Sequence, residues 1–575
     1  MKMISQVLMA IAMSMTICTY LSAQKWIEES LEATNFYEVQ QAFQDEWGDK
    51  EYERGKGYKQ YKRWEWFWEQ RTYPTGEFPR QDIAFRENRK FNKINGNGGA
   101  SRFGNDWSSL GPDAWNLGSG YNAGVGRVNV IRRDPLDDQT LLVGVPAGGL
   151  WKSTDDGTTW NSLLTDLGSI GFSGIAYSPG QSDTIYVGTG DGDGADTYSI
   201  GVLKSTDGGA TFQLTSLQFA TTLFNRVTSI LVHPTDHNVV FVSTTQGLHR
   251  SDDAGDTWTQ INGLNVQDIE IHPTDPDIVY FSSDRFYRSV DRGVNFIEIT
   301  SGLADPIRVN RYKLAVSADE PTWVYAVAGP GGIDGDSTFT GLFRSTDSGI
   351  SFSEMSSAPN IMGYATLGND NSDQSWYDLA IDVDPDDASR ILVGGINLWE
   401  STDAGASWNI VTQWFNNNGI GYVHADIHEV INYGNAIYCG SDGGIYKSID
   451  DGQTWTDLTT GMDITQFYDI ACTEADPNLI LGGAQDNGTN RTRDARDWLH
   501  VVGADGMVPQ IDPSDDDIQY GMIQRGVLRR TLNDWGSQTN IRPPGSSGAW
   551  VTPYELKFPS KVDNEKRMFR QLPFV

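Results

Sequence analysis

The chain has 575 residues, 76 of them acidic and 43 basic, for a formal charge of −33, and it holds 62 glycines, 19 tryptophans and 23 tyrosines. A surface of that sign repels phosphate backbones and anionic lipid, which excludes nucleic acid and membrane-surface partners and favours cations and neutral ligands. Glycine and aromatic residues in these numbers suit many short strands joined by tight turns.

Residues 1–23 open with Lys2, continue with an apolar stretch from Val7 to Leu21 and end in Ser22-Ala23. This is the pattern of a secretory signal peptide, so the mature chain is expected to begin at Gln24. It is then secreted or held at the cell surface, with no membrane insertion after cleavage. Cys18 leaves with the signal, and Cys439 and Cys472 sit in apolar strand-like runs, which predicts two buried free thiols. Residues 24–100 form a separate segment. From Trp26 to Trp47 apolar residues recur at helical spacing, and from Gly55 to Trp68 cations alternate with aromatics. Such interleaving suits a nucleic-acid or glycan binder, or a helical extension whose tryptophans dock on the main domain; the acidic field favours the second. The Gly/Asn-rich stretch 95–100 reads as a linker.

The main domain, 101–556, is built on a repeat. Ser-x-Asp-x-Gly-x-x-aromatic occurs seven times, with its aspartates at Asp155, Asp207, Asp253, Asp291, Asp347, Asp403 and Asp450. The serines are 52, 46, 38, 56, 56 and 47 residues apart, the length of a four-stranded propeller blade. Each unit runs strand, His-Pro or Asp-Pro turn, β-branched strand, Gly-Leu-Trp-Lys-like strand, box and short fourth strand. Proline cannot donate to a central ladder, so its fixed place marks a turn. Glycine permits the positive φ of the box hairpin, and Ser and Asp bond its backbone. A residue needed in every blade is architectural, so these seven aspartates are read as structural.

On these boxes the chain resembles the Asp-box, or bacterial-neuraminidase-repeat, propellers: sialidases, xyloglucan-active glycoside hydrolases and sortilin-type ten-bladed domains. It is most similar to the sortilin-type propellers of secreted Bacteroidetes proteins, through the run His424-Ala-Asp426-Ile-His428, Gly440-Ser-Asp442-Gly-Gly444, Gln466-Phe-Tyr468 and Gln485-Asp486-Asn487-Gly488. The resemblance implies an all-β propeller, a polypeptide or glycan ligand in a wide channel, a glycosyl-hydrolase name, and export as cargo of the type IX secretion machinery.

Degenerate boxes near Asp494–Trp498 and Thr531–Trp535 predict an eighth and a ninth blade. A tenth is represented only by 107–110, read as a stray fourth strand, and by 550–556. The expected ring therefore has nine to ten blades and is incomplete. The tail 557–575 shows no turn, strand or box signal and turns basic, which suggests a truncated or frame-shifted end.

Three constellations could carry chemistry. His424, Asp426 and His428 alternate along a predicted inner strand, so they share a face and suit either a metal or a hydrogen-bonded channel wall; the wall is preferred. Asp268, Asp378, Asp426 and Asp469 each precede an apolar residue on an inner strand, as channel-lining catalytic candidates or as backbone-bonding groups. Asp191, Asp193 and Asp196 alternate with glycines in a loop that suits calcium or is simply acidic. With Asp486 and Asn487 they complete the candidate site. The preferred function is a binding propeller taking polypeptide or glycan in its channel. The alternative is a glycoside hydrolase of xyloglucanase type, a sialidase being disfavoured because its Arg-Ile-Pro signature is missing.

Overall fold

The computed structural model describes residues 26, 35–48, 50, 58–78, 87, 90, 108–117, 123–164, 167, 171–331, 338–415, 419–494, 496–557 and 568–571. The signal segment 1–23 and Trp107 lie outside these. Two α-helices are present among the described residues, α1 (Phe36–Trp47) and α2 (Tyr58–Thr72). The remaining regular secondary structure is nearly all strand. Asn35 caps α1, accepting from the Tyr37 N–H while Glu38 reaches back to the Asn35 N–H.

Nine sheets contain four consecutive antiparallel strands each, the blade number expected from the repeats. We number them blade 1 (130–163), blade 2 (172–218), blade 3 (227–260), blade 4 (268–299), blade 5 (309–356), blade 6 (380–412), blade 7 (427–457), blade 8 (467–502) and blade 9 (510–540). Their distribution differs from one wide ring. A separate buried apolar cluster fills each joint from blade 1 to blade 7, and another fills the joint from blade 7 back to blade 1. In that closing joint Val128, Ile131, Leu141 and Trp151 pack on Tyr438, Ile445, Met462 and Ile464. Blades 1–7 are thus a closed seven-bladed propeller, and blades 8 and 9 pack on each other beside it through Leu479, Leu481 and Ile511.

The box explains why each hairpin forms. In blade 1, Ser153 Oγ donates to Asp155 Oδ1 (2.8 Å) and accepts from the Gly157 N–H (2.8 Å). Asp155 accepts from the Thr159 N–H (2.8 Å) and hydroxyl (2.7 Å). Asp156 and Gly157 both take positive φ, 58° and 80°, a turn the serine and aspartate hold by satisfying its N–H groups. Blade 9 reuses it with Thr531 for Ser and Asn533 for Asp. Trp535, at φ 66°, occupies the glycine position there rather than the aromatic one.

The joints repeat as faithfully as the turns. In blades 1 to 4 the cation before the box serine reaches the next blade's box: Lys152 to Gly208 O (2.8 Å), Lys204 to Ala254 O (2.7 Å), Arg250 to Arg292 O (3.1 Å) and Arg288 to Ser348 O (2.7 Å). Tyr186 and Tyr280 hydroxyls donate to the same Ala254 and Ser348 carbonyls. Blade 7 closes on blade 1 by the same means, with Lys447 on Asp156 and Tyr438 OH donating to Asp156 Oδ1 (2.9 Å). Blade 6 has Glu400 in the cation's place, and Arg390 compensates by bridging Glu400 and Asp451.

Two terminal segments differ from expectation. Residues 108–110 are not a strand. Instead Asn116–Leu117 adds in parallel to the outer strand of blade 8, opposite Leu499 and His500. In the tail, Met568–Gln571 pairs antiparallel with Tyr554–Lys557. Cys439 is buried, but Cys472 is exposed, because its strand in blade 8 leaves one face open.

Candidate functional site

The inner strands of all seven ring blades line a central cavity of about 330 Å³, with Arg132, Asp268, Glu270, Lys313, His428 and Glu429 among its walls. That is a narrow, charged channel rather than a wide one. Burial and the neighbouring Asp268 and Asp382 push the Glu270 carboxyl well up, and burial raises Asp382 to about 7. Strand pairing shows that the four aspartates of the inner-strand series are not equivalent. Asp268, Glu429 and Asp469 share one register position, opposite Ser282, Gly440 and Gly483. Asp378 and Asp426 precede their strands and sit at one face of the ring. Asp469 belongs to blade 8, is exposed and lies outside the channel.

His424, Asp426 and His428 do not share a face. Asp426 adopts φ 66°, and a bulge separates Ile427 from Glu429, so the two-residue alternation fails before the strand begins. His428 turns to the channel end, where Nδ1 meets Asp193 (3.0 Å) and Nε2 meets Asp442 (3.0 Å). His424 is left bonded to the Ala425 carbonyl at 3.3 Å.

The acidic loop of blade 2 lies at that same end, and protein cations answer it. Arg127 pairs with Asp191 (2.6 Å) and Asp196 (3.0 Å), and Arg311 with Asp193 (2.9 Å). Gln466 of blade 8 donates to Asp196 at 2.8 Å. The loop is therefore the ring-face half of an internal ion network. Burial opposes a charge on His428, but its hydrogen bonds to Asp193 and Asp442 raise it to about 9. Tyr377 OH accepts from Arg127 (2.7 Å) and donates to both oxygens of Asp442 (2.9 and 3.0 Å).

This network borders a seam between the ring face and blades 8 and 9. There Asp426, Asp442 and Asp486 bring one carboxylate oxygen each to within 4.8 Å of one another. By donor type and spacing they are the described residues best able to hold a hard cation. Asp442 and Asp486 come from hairpins at the same place in blades 7 and 8, between second and third strands. Asn487 ties the two hairpins by donating to the Asp442 carbonyl (3.0 Å). Gln374 donates to Asp426 at 2.9 Å. Asp378 is 1% exposed, and neither of its oxygens meets a donor among the described residues.

The carboxyls of the seam are driven apart in protonation. Burial, with Asp442 alongside, pushes Asp426 up to about 7. Burial and the charges of Asp426, Asp373 and Asp442 hold Asp378 well above the carboxylate range. Burial would raise Asp486 too, but Arg63 and Lys59 hold it below the usual range. Those two cations come from α2, whose Arg63 contacts Asp486 and Asp505 and whose Lys59 contacts Asp486. Gln60 bonds Gln374 (3.2 Å), and Trp66 meets the Tyr468 ring edge-on at 5.1 Å.

Tyr377, Arg127, Arg311 and Asp505 belong to no motif. Asp442 lies in the family-like run Gly440–Gly444, and Lys59 and Arg63 in the cation–aromatic stretch 55–68, where no local pattern marks them for the site. The signal that could have exposed Asp442 is its match with Asp486, each an acid in the second hairpin of its blade.

Comparison with known proteins agrees on the fold. The family model Sortilin-Vps10, described as "Sortilin, neurotensin receptor 3", matches residues 246–384. A Paenibacillus sp. xyloglucanase is 25% identical over 290 residues, 50% of this chain but 24% of its own length. The chain thus spans about a quarter of the curated relative it matches. The GH74 enzyme of Niastella koreensis superposes with a TM-score of 0.55 at 17% identity, covering 76% of this chain and 68% of that one. The GH74 xyloglucanase of Xanthomonas campestris gives 0.50 at 15% identity, covering 74% and 75%. These likenesses support a β-propeller.

Proposed function

We propose that the chain is an exported glycoside hydrolase acting on plant or microbial polysaccharide, with xyloglucan the first substrate to test, and that Asp426 and Asp486 are its reacting pair. The observation carrying this reading is a pair of carboxyls with oxygens within 4.8 Å of each other, Asp426 buried and pushed up to about 7 by burial, Asp486 half-buried and more open to water. Glycosidic cleavage needs that division of labour: one carboxyl keeps its proton near neutral pH to donate to the leaving oxygen, and its partner stays charged.

Asp426 is the acid, its proton passing to the glycosidic oxygen as the C–O bond breaks. Asp486 is the charged partner: oxygens this close leave no room for an intervening water, so it attacks the sugar carbon, and water, giving its proton to Asp426, then releases the sugar from it. Asp442, with its bonds from Tyr377 and His428, is placed to face the positive charge that develops on the sugar ring. The substrate class draws support from the Paenibacillus relative, a xyloglucanase by name. Export rests on residues 1–23, and N-terminal sequencing of material outside the cell should read from Gln24.

The test is reducing-end release from xyloglucan and a panel of other glucans. Asp426→Asn and Asp486→Asn should each remove it while the protein stays folded. Binding of xyloglucan oligosaccharides with no release under any condition, including the variants below, would return the seam to a binding role.

A further inference from the structure

The seam that would admit a sugar chain is already filled, and by this chain itself. Helices α1 and α2 share an aromatic core that continues onto the ring face: Phe36, Phe43, Trp47, Tyr61, Trp64 and Trp68 are buried together with Tyr198, and Phe224 and Trp376 pack against them. Phe43 stacks on Tyr61 at 3.5 Å and Phe36 on Trp64 at 5.3 Å. The pair is thus stacked within itself as well as seated on the ring face. Its outer contacts fall on surfaces around the seam: Trp26 on Trp376 beside Tyr377, Phe78 on Phe224, Gln60 on Gln374 and Trp66 on Tyr468.

The charges are sorted in the same way. Along α2, Lys62 pairs with Glu65 inside the helix, whereas Lys59 and Arg63, one turn apart on the inward face, are spent on Asp486 and Asp505. Arg63 and Asp505 are nearly inaccessible, with side chains 8% and 1% exposed. Cations placed on Asp486 neutralise the carboxylate that the proposed reaction requires, and the helix body stands where substrate would have to lie. The described contacts that join the blades do not run through Lys59 or Arg63: the ring joints use blade cations and tyrosines, and blades 8 and 9 meet through Leu479, Leu481 and Ile511.

We infer that helices α1 and α2 form an autoinhibitory cover, which docks through Lys59 and Arg63 on the acid cluster of the seam and must leave for a glycan to enter. The inference rests on the reading of the seam as a glycan-cleaving site. Docking is a two-state contact, so the substrate that occupies the seam and the helices that cover it compete, and each weakens the other.

The experiment uses the full chain with xyloglucan and its oligosaccharides as probes. Lys59→Gln with Arg63→Gln should raise oligosaccharide affinity and reducing-end release by at least about tenfold. Lys62→Gln, on the same helix but away from the cluster, should change neither. In the unaltered chain, amide exchange of residues 58–72 should quicken when oligosaccharide is added, while exchange in blades 1–7 stays put. That second measurement keeps the inference testable if the double variant unfolds. Release that Asp426→Asn abolishes but Lys59→Gln/Arg63→Gln leaves within about twofold would overturn the cover and spare the hydrolase reading. So would unchanged or stronger protection of 58–72 during turnover. If neither the unaltered chain nor the double variant binds or cleaves any glucan, the hydrolase reading itself falls, and the cover with it.

Discussion

The ring channel and the seam are both crowded with buried charge, but they are made differently. The channel's acids, Asp268, Glu270 and Glu429, come from inner-strand positions, and its bases Arg132 and Lys313 come from the same kind of strand. It is a by-product of stacking blades around an axis. The seam is assembled from exceptions: a left-handed Asp426, an acidic hairpin in two blades, and cations imported from a helix outside the propeller. Repetition supplies stability in such folds, and chemistry gathers where the repeat is broken.

The sharpest way to break that contrast is to compare acids from the two places. Asp426→Asn and Asp486→Asn should each lower reducing-end release by about 100-fold or more, whereas Glu270→Gln in the channel should stay within about twofold. A channel variant as damaging as the seam variants would move the working site to the axis. Next in size is a pH effect. His428 is raised to about 9, so its stabilisation is complete below its unfolded value near 6.5 and is lost as pH climbs towards 9. Asp426, raised to about 7, likewise favours folding in its protonated form, and that advantage fades between about pH 4 and 7. Thermal melting should therefore show a decline from pH 6.5 to 9, worth on the order of 2 kcal/mol, which His428→Gln abolishes. Activity should fall above pH 7 as the Asp426 proton is lost. A flat melting profile would remove the imidazolium from the network.

Smaller effects test the repeating side. Ser401→Ala takes away the buried acceptor of the Gly405 N–H (2.8 Å) and should cost about 1–3 kcal/mol without touching catalysis. Least of all, Tyr438→Phe at the closing joint and Tyr186→Phe at an ordinary one should each cost about 1 kcal/mol by denaturant titration. A several-fold larger loss at Tyr438 would make the closure a special joint rather than one of seven alike.

The blades were legible because each carries its whole signature within about fifty residues. Ring size was not, because the interval from the seventh box to the eighth strand set looks like any other. What ends the ring is Tyr438 and Lys447 meeting Asp156, a contact across nearly three hundred positions that no local pattern encodes. At the site, Asp426 was found but misplaced: strict strand alternation was assumed where the backbone turns left-handed. Asp442 stands in the family-like run Gly440-Ser-Asp442-Gly-Gly444, where nothing local distinguishes it as a site residue. Asp486 and Asn487 were noticed as a motif, yet their cationic partners on α2 could not be, since pairs more than four hundred residues apart leave no periodic trace.

The joints also bear on how such a chain comes into being. Most repeats carry a donor half, a cation and in several a tyrosine, and an acceptor half in their own box. When a gene segment encoding one repeat is duplicated, both halves are copied together, and the newcomer fits its neighbours on either side at once. A lineage can therefore lengthen or shorten such an array one blade at a time without first inventing a new interface. The pairing of Arg491 with Asp534 between blades 8 and 9 shows the same plug and socket persisting in copies whose boxes have already drifted.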